Sequence, residues 1–319
     1  MRLLFFIVCT LLFITPAYAA KDKCTDTLPE NYQPILERLA AGTSQSLLYR
    51  LERCKYPESY VFGTFHSDSP TLKPILDQAL KALDKSTRLV LEIIVTPKSQ
   101  IKTLKTMMLQ NGHPGLHTLI PRPLFDTAVV KLGPILNQNA DMINRYTPWG
   151  LALIVQYPSP EDDGVVLDQK LQEAAQSKGK RVYAVETIEE QLTLFTSLSP
   201  LEQQGFLEAT LQQINTMDAM FKELNSYYLA QDLAAIERMS DRMFDEMAVR
   251  HPALTKKLKA GLIDNRNKLM LKRALTHLDQ PTLIAVGALH LPGETGLLHA
   301  FESEGFAVYP VINKPKKQD

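Results

Sequence analysis

Cysteine is scarce in this chain. The 319 residues hold only three, Cys9, Cys24 and Cys54, too few for a cysteine-rich zinc module or a densely cross-linked scaffold. An excess of charge of one sign is also missing. The 35 Lys and Arg residues balance 35 Asp and Glu residues, and no basic stripe runs through the chain. That excludes the electrostatic footprint of a nucleic-acid binder. The short Lys314-Pro315-Lys316-Lys317 cluster reads as a solvated terminus. No internal repeat, heptad array, low-complexity block or Pro/Gly/Ser-rich linker is present, which argues against a solenoid, a coiled coil or a string of small domains. After the first twenty residues no apolar run approaches the roughly 20 residues needed to cross a bilayer, so a membrane anchor is not expected. The HExxH helix motif is absent too, so any metallohydrolase here is of another kind.

Turning to what is present, Arg2 precedes an apolar run, Leu3–Ile14, which Pro16 breaks before Ala17-Tyr18-Ala19. This is the pattern of a cleaved secretory signal peptide. The reading is a signal peptide over residues 1–19 and a single domain over 20–319, periplasmic or secreted. Cys9 leaves with the signal. Cys24 and Cys54 are then expected to pair in an oxidising compartment, tying an N-terminal arm to the first strand and adding about 3–4 kcal/mol on the chain-entropy view.

The periodicity predicts a helix over Tyr32–Ala41 and a hairpin, Leu47–Arg53 and Tyr60–Phe65, with a turn at Lys55–Glu58. Short apolar runs at Arg88–Val95, Arg181–Val185, Thr282–Val286 and Ala307–Val311 read as buried strands. Between them lie helix-period stretches: Leu72–Leu83, Lys98–Leu109, Leu124–Val130, Pro148–Gln156 and Val166–Ser177. A long helical territory, Pro200–His277, carries expected breaks near Asp232, Ser240 and Pro252. Its methionines Met217, Met220, Met239, Met243 and Met247 read as core packing. The fold class expected is α/β, with a mixed central sheet flanked by helices and a large helical insertion.

Four ionisable residues mark the ends of predicted strands. His66 follows one in Gly63-Thr64-Phe65-His66, and His290 follows another in Gly287-Ala288-Leu289-His290. Glu92 sits inside the Arg88–Val95 run, and Glu186 ends the Arg181–Val185 run. The carboxyl edge of an α/β sheet is where ligands bind, and a glycine before each histidine permits close backbone approach. Each Gly-x-x-His alone is more often a hydrogen-bonded loop than a functional site. A carboxylate inside an apolar strand needs a cation, a metal or a proton, so Glu92 is either a ligand or half of a buried ion pair. Two imidazoles and one or two carboxylates form a plausible shell for a divalent ion, which would polarise a carbonyl and acidify a bound water. The remaining glutamate would then act as general base. Arg266, in Asn265-Arg266-Asn267, reads as a solvated helix face on its own. His113, His117, His251, His277 and His299 read as loop or surface residues.

Five blocks of the chain resemble the TraB/GumN family, which includes the Tiki-type metalloproteases: Tyr60–His66; Leu89–Glu92; Gly179–Val182 leading into Val185–Gln191; Arg266-Asn267; and Val286–Gly293. Pro148-Trp149 and Gly164–Asp168 fall between them, and the last block continues through Gly296–Leu298 to Gly305-Phe306. The resemblance implies a fold shared with erythromycin esterase-like and haem-binding ChaN-like proteins, and metal-dependent peptide cleavage as in the Tiki branch. It selects His66, Glu92, Glu186 and His290 as catalytic and metal-binding residues around Mn, Co or Zn, with Arg266 as a substrate or carboxylate partner. The expected partner is a peptide or small-molecule substrate. The alternative is a protein that binds haem, a metal or a peptide without turning it over. With no membrane anchor expected, the chain is expected to depart from the Tiki branch in this respect.

Overall fold

A computed structural model describes residues 27–43, 45–110, 112–156 and 165–312. The expected signal peptide, Cys24 and the Lys314–Lys317 cluster lie outside these residues. No helix among the described residues is long and apolar enough to cross a membrane.

Six strands form one mixed sheet: β1 (Leu48–Glu52), β2 (Ser59–Thr64), β3 (Arg88–Leu91), β4 (Arg181–Ala184), β5 (Thr282–Gly287) and β6 (Ala307–Pro310), in the order β4-β3-β5-β2-β1-β6. The β1/β2 hairpin is antiparallel, with Tyr49 opposite Val61, and β6 adds antiparallel to β1. The other pairings, β2 with β5, β5 with β3 and β3 with β4, are parallel. Helices cross over between parallel strands, as parallel pairing requires. The central strands are buried almost throughout: β2 is buried at every position, and Leu89, Leu283, Ala285 and Val286 have no exposed surface. That is why they read as continuous apolar runs and not as alternating ones.

The α/β architecture with its helical insertion is as expected, and the helices fall close to their predicted spans: Lys73–Lys85, Pro97–Met107, Arg122–Leu136, Pro148–Ile154 and Leu167–Ser177. Two details differ. The strand expected over Arg88–Val95 stops at Leu91, so Glu92 lies just past the sheet edge and not within it. The break expected near Ser240 does not occur, because Leu233–Ala248 is one continuous helix with Asp232 as its N-cap, Oδ1 accepting the Ala235 N–H at 2.9 Å. A serine costs a helix only a few tenths of a kcal/mol, and burial of Ile236 and Met239 on this helix outweighs it.

The apolar residues gather in two clusters. One surrounds the sheet, around Phe62, Leu89, Leu283 and Phe301. The second lies among the helices, around Phe125, Trp149, Leu207 and Leu258. Tyr228 ties the insertion to the sheet: its buried hydroxyl donates to the Gly63 carbonyl at 2.6 Å, and its ring stacks on Phe65 at 5.1 Å.

Candidate active site

The sheet order places the four candidate residues in a row. Reading along β4-β3-β5-β2, the carboxyl ends carry Glu186, Glu92, His290 and His66. Backbone pairing between β3 and β4 continues past the strand ends, with the Val185 N–H donating to the Leu91 carbonyl at 2.9 Å and the Glu186 N–H to the Glu92 carbonyl at 2.8 Å. The two glutamates are thereby held side by side.

Both motif glycines act through close approach. A Cβ on Gly63 would stand 2.9 Å from Leu291 and 3.0 Å from the Ala288 backbone, where the two Gly-x-x-His turns pack together. A Cβ on Gly287 would meet Glu92 Oε1 at 3.2 Å, and the Gly287 N–H donates to that same oxygen at 2.6 Å. Neither glycine has a positive φ, so what they supply is room, not a left-handed turn.

Arg266 is not a solvated face. Its Nη2 donates to Glu92 Oε2 at 2.5 Å and to Glu186 Oε2 at 2.7 Å, while its Nε reaches Glu186 Oε1 at 3.0 Å. The side chains of Glu186 and Glu92 are only 1% and 13% exposed. Gln191 Nε2 completes the cluster, 3.2 Å from an oxygen of each glutamate. A π-helical turn, Ala260–Asp264, immediately precedes the helix Asn265–Leu275 that bears Arg266; such a turn rephases the residues after it and recurs at functional sites. The helix Ile188–Thr196, which bears Gln191, is fixed by a capping box. Thr187 Oγ1 accepts the Glu190 N–H and Glu190 accepts the Thr187 N–H, while Arg273 bridges Glu190 and the Val185 carbonyl. Burial alone would raise the Glu92 carboxyl, but the charges of His290 and Arg266 and the Gly287 N–H outweigh it and lower it to about 2. Burial opposes the charge on Arg266, yet its two carboxylate partners raise its pKa.

The tautomer of His290 follows from its neighbours. Asn267 is 2% exposed, and its Nδ2 donates to the carbonyls of Thr295 (2.8 Å) and His290 (3.3 Å). The amide oxygen is therefore the atom facing His290 Nδ1 at 2.6 Å, and Nδ1 carries the hydrogen. Nε2 is left with its lone pair, 3.6 Å from Glu92 Oε1. Burial holds this imidazole neutral, lowering its pKa to about 4 against the opposing pull of Glu92.

Asp168 belongs to the same cluster. Its Oδ1 accepts from the Thr64 hydroxyl at 2.7 Å, while Oδ2 is buried with no hydrogen-bond partner. Burial raises its pKa, opposed by the nearby His66 charge and the Thr64 hydrogen bond. Asp168 and Gln191 fall within the blocks that carry the family resemblance, yet their local sequence does not mark them as site residues. Both lie on helices, and only the folded chain shows which way they face. Asn267 is a third such residue.

A cavity of about 470 Å³ opens beside this row, lined at one end by His66, Glu92, Arg266 and His290. Glu186 does not line it, since Arg266 engages both of its oxygens. His113, His117, His251, His277 and His299 are also absent from its walls. As for a metal, the donor chemistry of His66, His290, Glu92 and the unpaired Asp168 oxygen suits a divalent ion. Glu186 is set back from this donor set: it lies outside the cavity lining, with Arg266 and Gln191 on its oxygens. As they stand, no three His, Cys, Asp or Glu side chains among the described residues converge to hold an ion.

The profile of the TraB/PrgY/gumN family matches residues 47–310. A "Metalloprotease TIKI homolog" of Amphimedon queenslandica is 25% identical over 318 residues, covering 84% of this chain and 62% of its own length. "Metalloprotease TIKI2" of Danio rerio is 25% identical over 312 residues, covering 82% of this chain and 60% of its own length. The chain thus spans about three-fifths of the length of these relatives. No solved structure matches. The match to the family runs from β1 to β6 and contains every residue of the cluster, and the chain belongs to the TraB/PrgY/gumN family.

Proposed function

We propose that this protein is an exported, metal-dependent hydrolase of peptide bonds, with its active site at the carboxyl edge of β2, β3 and β5. The observation that carries this reading is that His66, His290 and the Arg266-held Glu92 all line one cavity at the carboxyl edge of the sheet. The names of the two Tiki relatives support a hydrolytic, metal-assisted chemistry for that arrangement.

In this reading an ion would be held by His66, His290 and Glu92, with Mn, Co or Zn as candidates. When bound, it supplies polarisation of the scissile carbonyl and a more acidic water. The remaining work falls to the chain itself. Arg266 holds Glu92 in one orientation and keeps it ionised, which suits Glu92 to hold an ion better than to act as a general base. Glu186 anchors Arg266. Asn267 holds His290 with its Nε2 lone pair available. Asp168 stands behind the cavity wall and accepts from the Thr64 hydroxyl, which itself lines the cavity. Export and a Cys24–Cys54 bridge belong to the same proposal; intact mass after thiol alkylation, with and without reductant, reads the bridge.

The test is hydrolysis of a peptide library by protein purified without chelator, with metal content measured in parallel. Stoichiometric metal and turnover are expected, both falling at least about 100-fold in His66→Ala and His290→Ala. Full activity in the double variant would refute the assignment.

A further inference from the structure

The ionisable groups His66, Glu92, Arg266 and His290 stand together in the cavity, and the polar side chains elsewhere in its lining, among them Gln156, Thr210, Gln213 and Ser240, are neutral. Away from His66, Glu92, Arg266 and His290, no charged side chain lines it among the described residues. Arg266 already shares its charge between two carboxylates, so no free cation faces an acidic substrate group. The walls are methionine and phenylalanine: Met217, Met220 and Phe221 from the helix Met217–Leu229, and Met239, Met243 and Phe244 from Leu233–Ala248. Phe195 and Phe206 add aromatic surface, stacked on each other at 5.7 Å.

The methionines expected to serve only as core filler are therefore also wall residues. Met217 and Met247 pack on the helical cluster with one side while lining the cavity. Methionine is unbranched and polarisable, and it adapts to apolar partners of differing shape. An apolar lining this extensive at about 470 Å³ is the size and character of a binding pocket, not a packing defect.

We infer that this cavity receives bulky apolar side chains of a peptide substrate and that the enzyme selects peptides carrying Leu, Met or Phe next to the bond at the His66–His290 end. The inference builds on the peptide-hydrolase reading and adds the substrate class to it. Because the walls are methionine-rich, selection is broad among large apolar residues and strict against charged ones.

Two measurements on the full-length protein test this. The first is kcat/KM for quenched fluorogenic peptides that differ at one position, Leu, Met or Phe against Ser, Asp or Lys. The second is calorimetric binding of the same peptides to the His290→Ala variant. A preference of about 10- to 100-fold for the apolar set is expected in both, the range that burial of one large apolar side chain supplies. Met220→Trp, which narrows the cavity from a half-buried position, is expected to shift the preference toward Ala and Val. Cleavage without preference overturns this inference and leaves the hydrolase reading standing. Binding preference without cleavage supports the inference while the hydrolase reading falls. Neither preference nor cleavage overturns both. Binding or hydrolysis of an acyl p-nitrophenyl ester, with no peptide bound, assigns the cavity to a lipid chain and overturns the inference.

Discussion

Arg266→Met isolates the charge balance of the site. In the intact protein one guanidinium compensates two carboxylates whose side chains are 1% and 13% exposed. Without it, Glu92 retains the Gly287 N–H, and the two glutamates share the Gln191 amide. Removing one partner of a buried ion pair costs about 3–5 kcal/mol. Each carboxyl can escape by taking a proton, which from an ordinary pKa of 4.5 costs about 3 kcal/mol at pH 7 and under about 1 kcal/mol at pH 5. The loss relative to wild type should therefore shrink from about 3–5 kcal/mol at pH 7 to about 1–2 kcal/mol at pH 5. The sign follows from the two proteins. In wild type the Glu92 pKa is depressed, so its contribution stays intact above about 4.5 and is lost only as pH falls toward 2. In the variant the burial of Glu92 is no longer offset by the guanidinium, so its carboxyl pKa rises and stability is lost as pH rises through it. Urea denaturation at pH 5, 6 and 7, compared by midpoint at constant m, measures the difference. Adding Glu186→Gln to Arg266→Met should recover about half of the loss at pH 7. An equal loss at pH 5 and pH 7, or no recovery in the double variant, would show that Arg266 acts through packing and not through charge.

Asn267→Leu keeps the side-chain volume but leaves the His290 Nδ1–H and two carbonyls unpaired, at a cost of about 2–4 kcal/mol in stability. It also frees the imidazole to adopt the other tautomer, so metal affinity should fall by about 10- to 100-fold; calorimetric titration with Mn or Zn checks this. His290 gives a second pH effect. Its pKa falls by burial from 6.5 to about 4, so the unfolded chain binds the proton first. Chelator-treated protein should lose up to about 3 kcal/mol as pH drops from 6.5 to 4, and His290→Gln should flatten that slope in the same denaturation assay.

Much of this site is legible in the chain itself. The apolar runs that become β2, β3 and β5 end in His66, Glu92 and His290 because a buried parallel strand must be apolar until it reaches the sheet edge, and polar only there; β4, which leads to Glu186, is a partly exposed edge strand and not the buried strand expected. The glycine three residues before each histidine is visible as a pattern, but what it makes room for is not: Gly63 faces Ala288 and Leu291, and Gly287 faces Glu92, each about two hundred residues away in the chain. The family frame is legible because its blocks coincide with these strand ends. Helix breaks are less so. A proline or a capping aspartate such as Asp232 marks a boundary, whereas Ser240 marks none and is overridden by the burial of its neighbours.

The tertiary structure decided which of these residues meet. β5 enters between β2 and β3 although it comes nearly two hundred residues later in the chain, and only that insertion brings His290 beside Glu92. Arg266 changes from a solvated residue to the partner of two carboxylates because a π-helical turn rephases its helix, which no periodicity count reveals. Asp168, Gln191 and Asn267 enter the site by the direction their helices face. The same holds for the methionines. Their spacing places them on an apolar helix face, but a face turned to the core and a face turned to a cavity have the same sequence pattern, and only packing against the sheet edge distinguishes them.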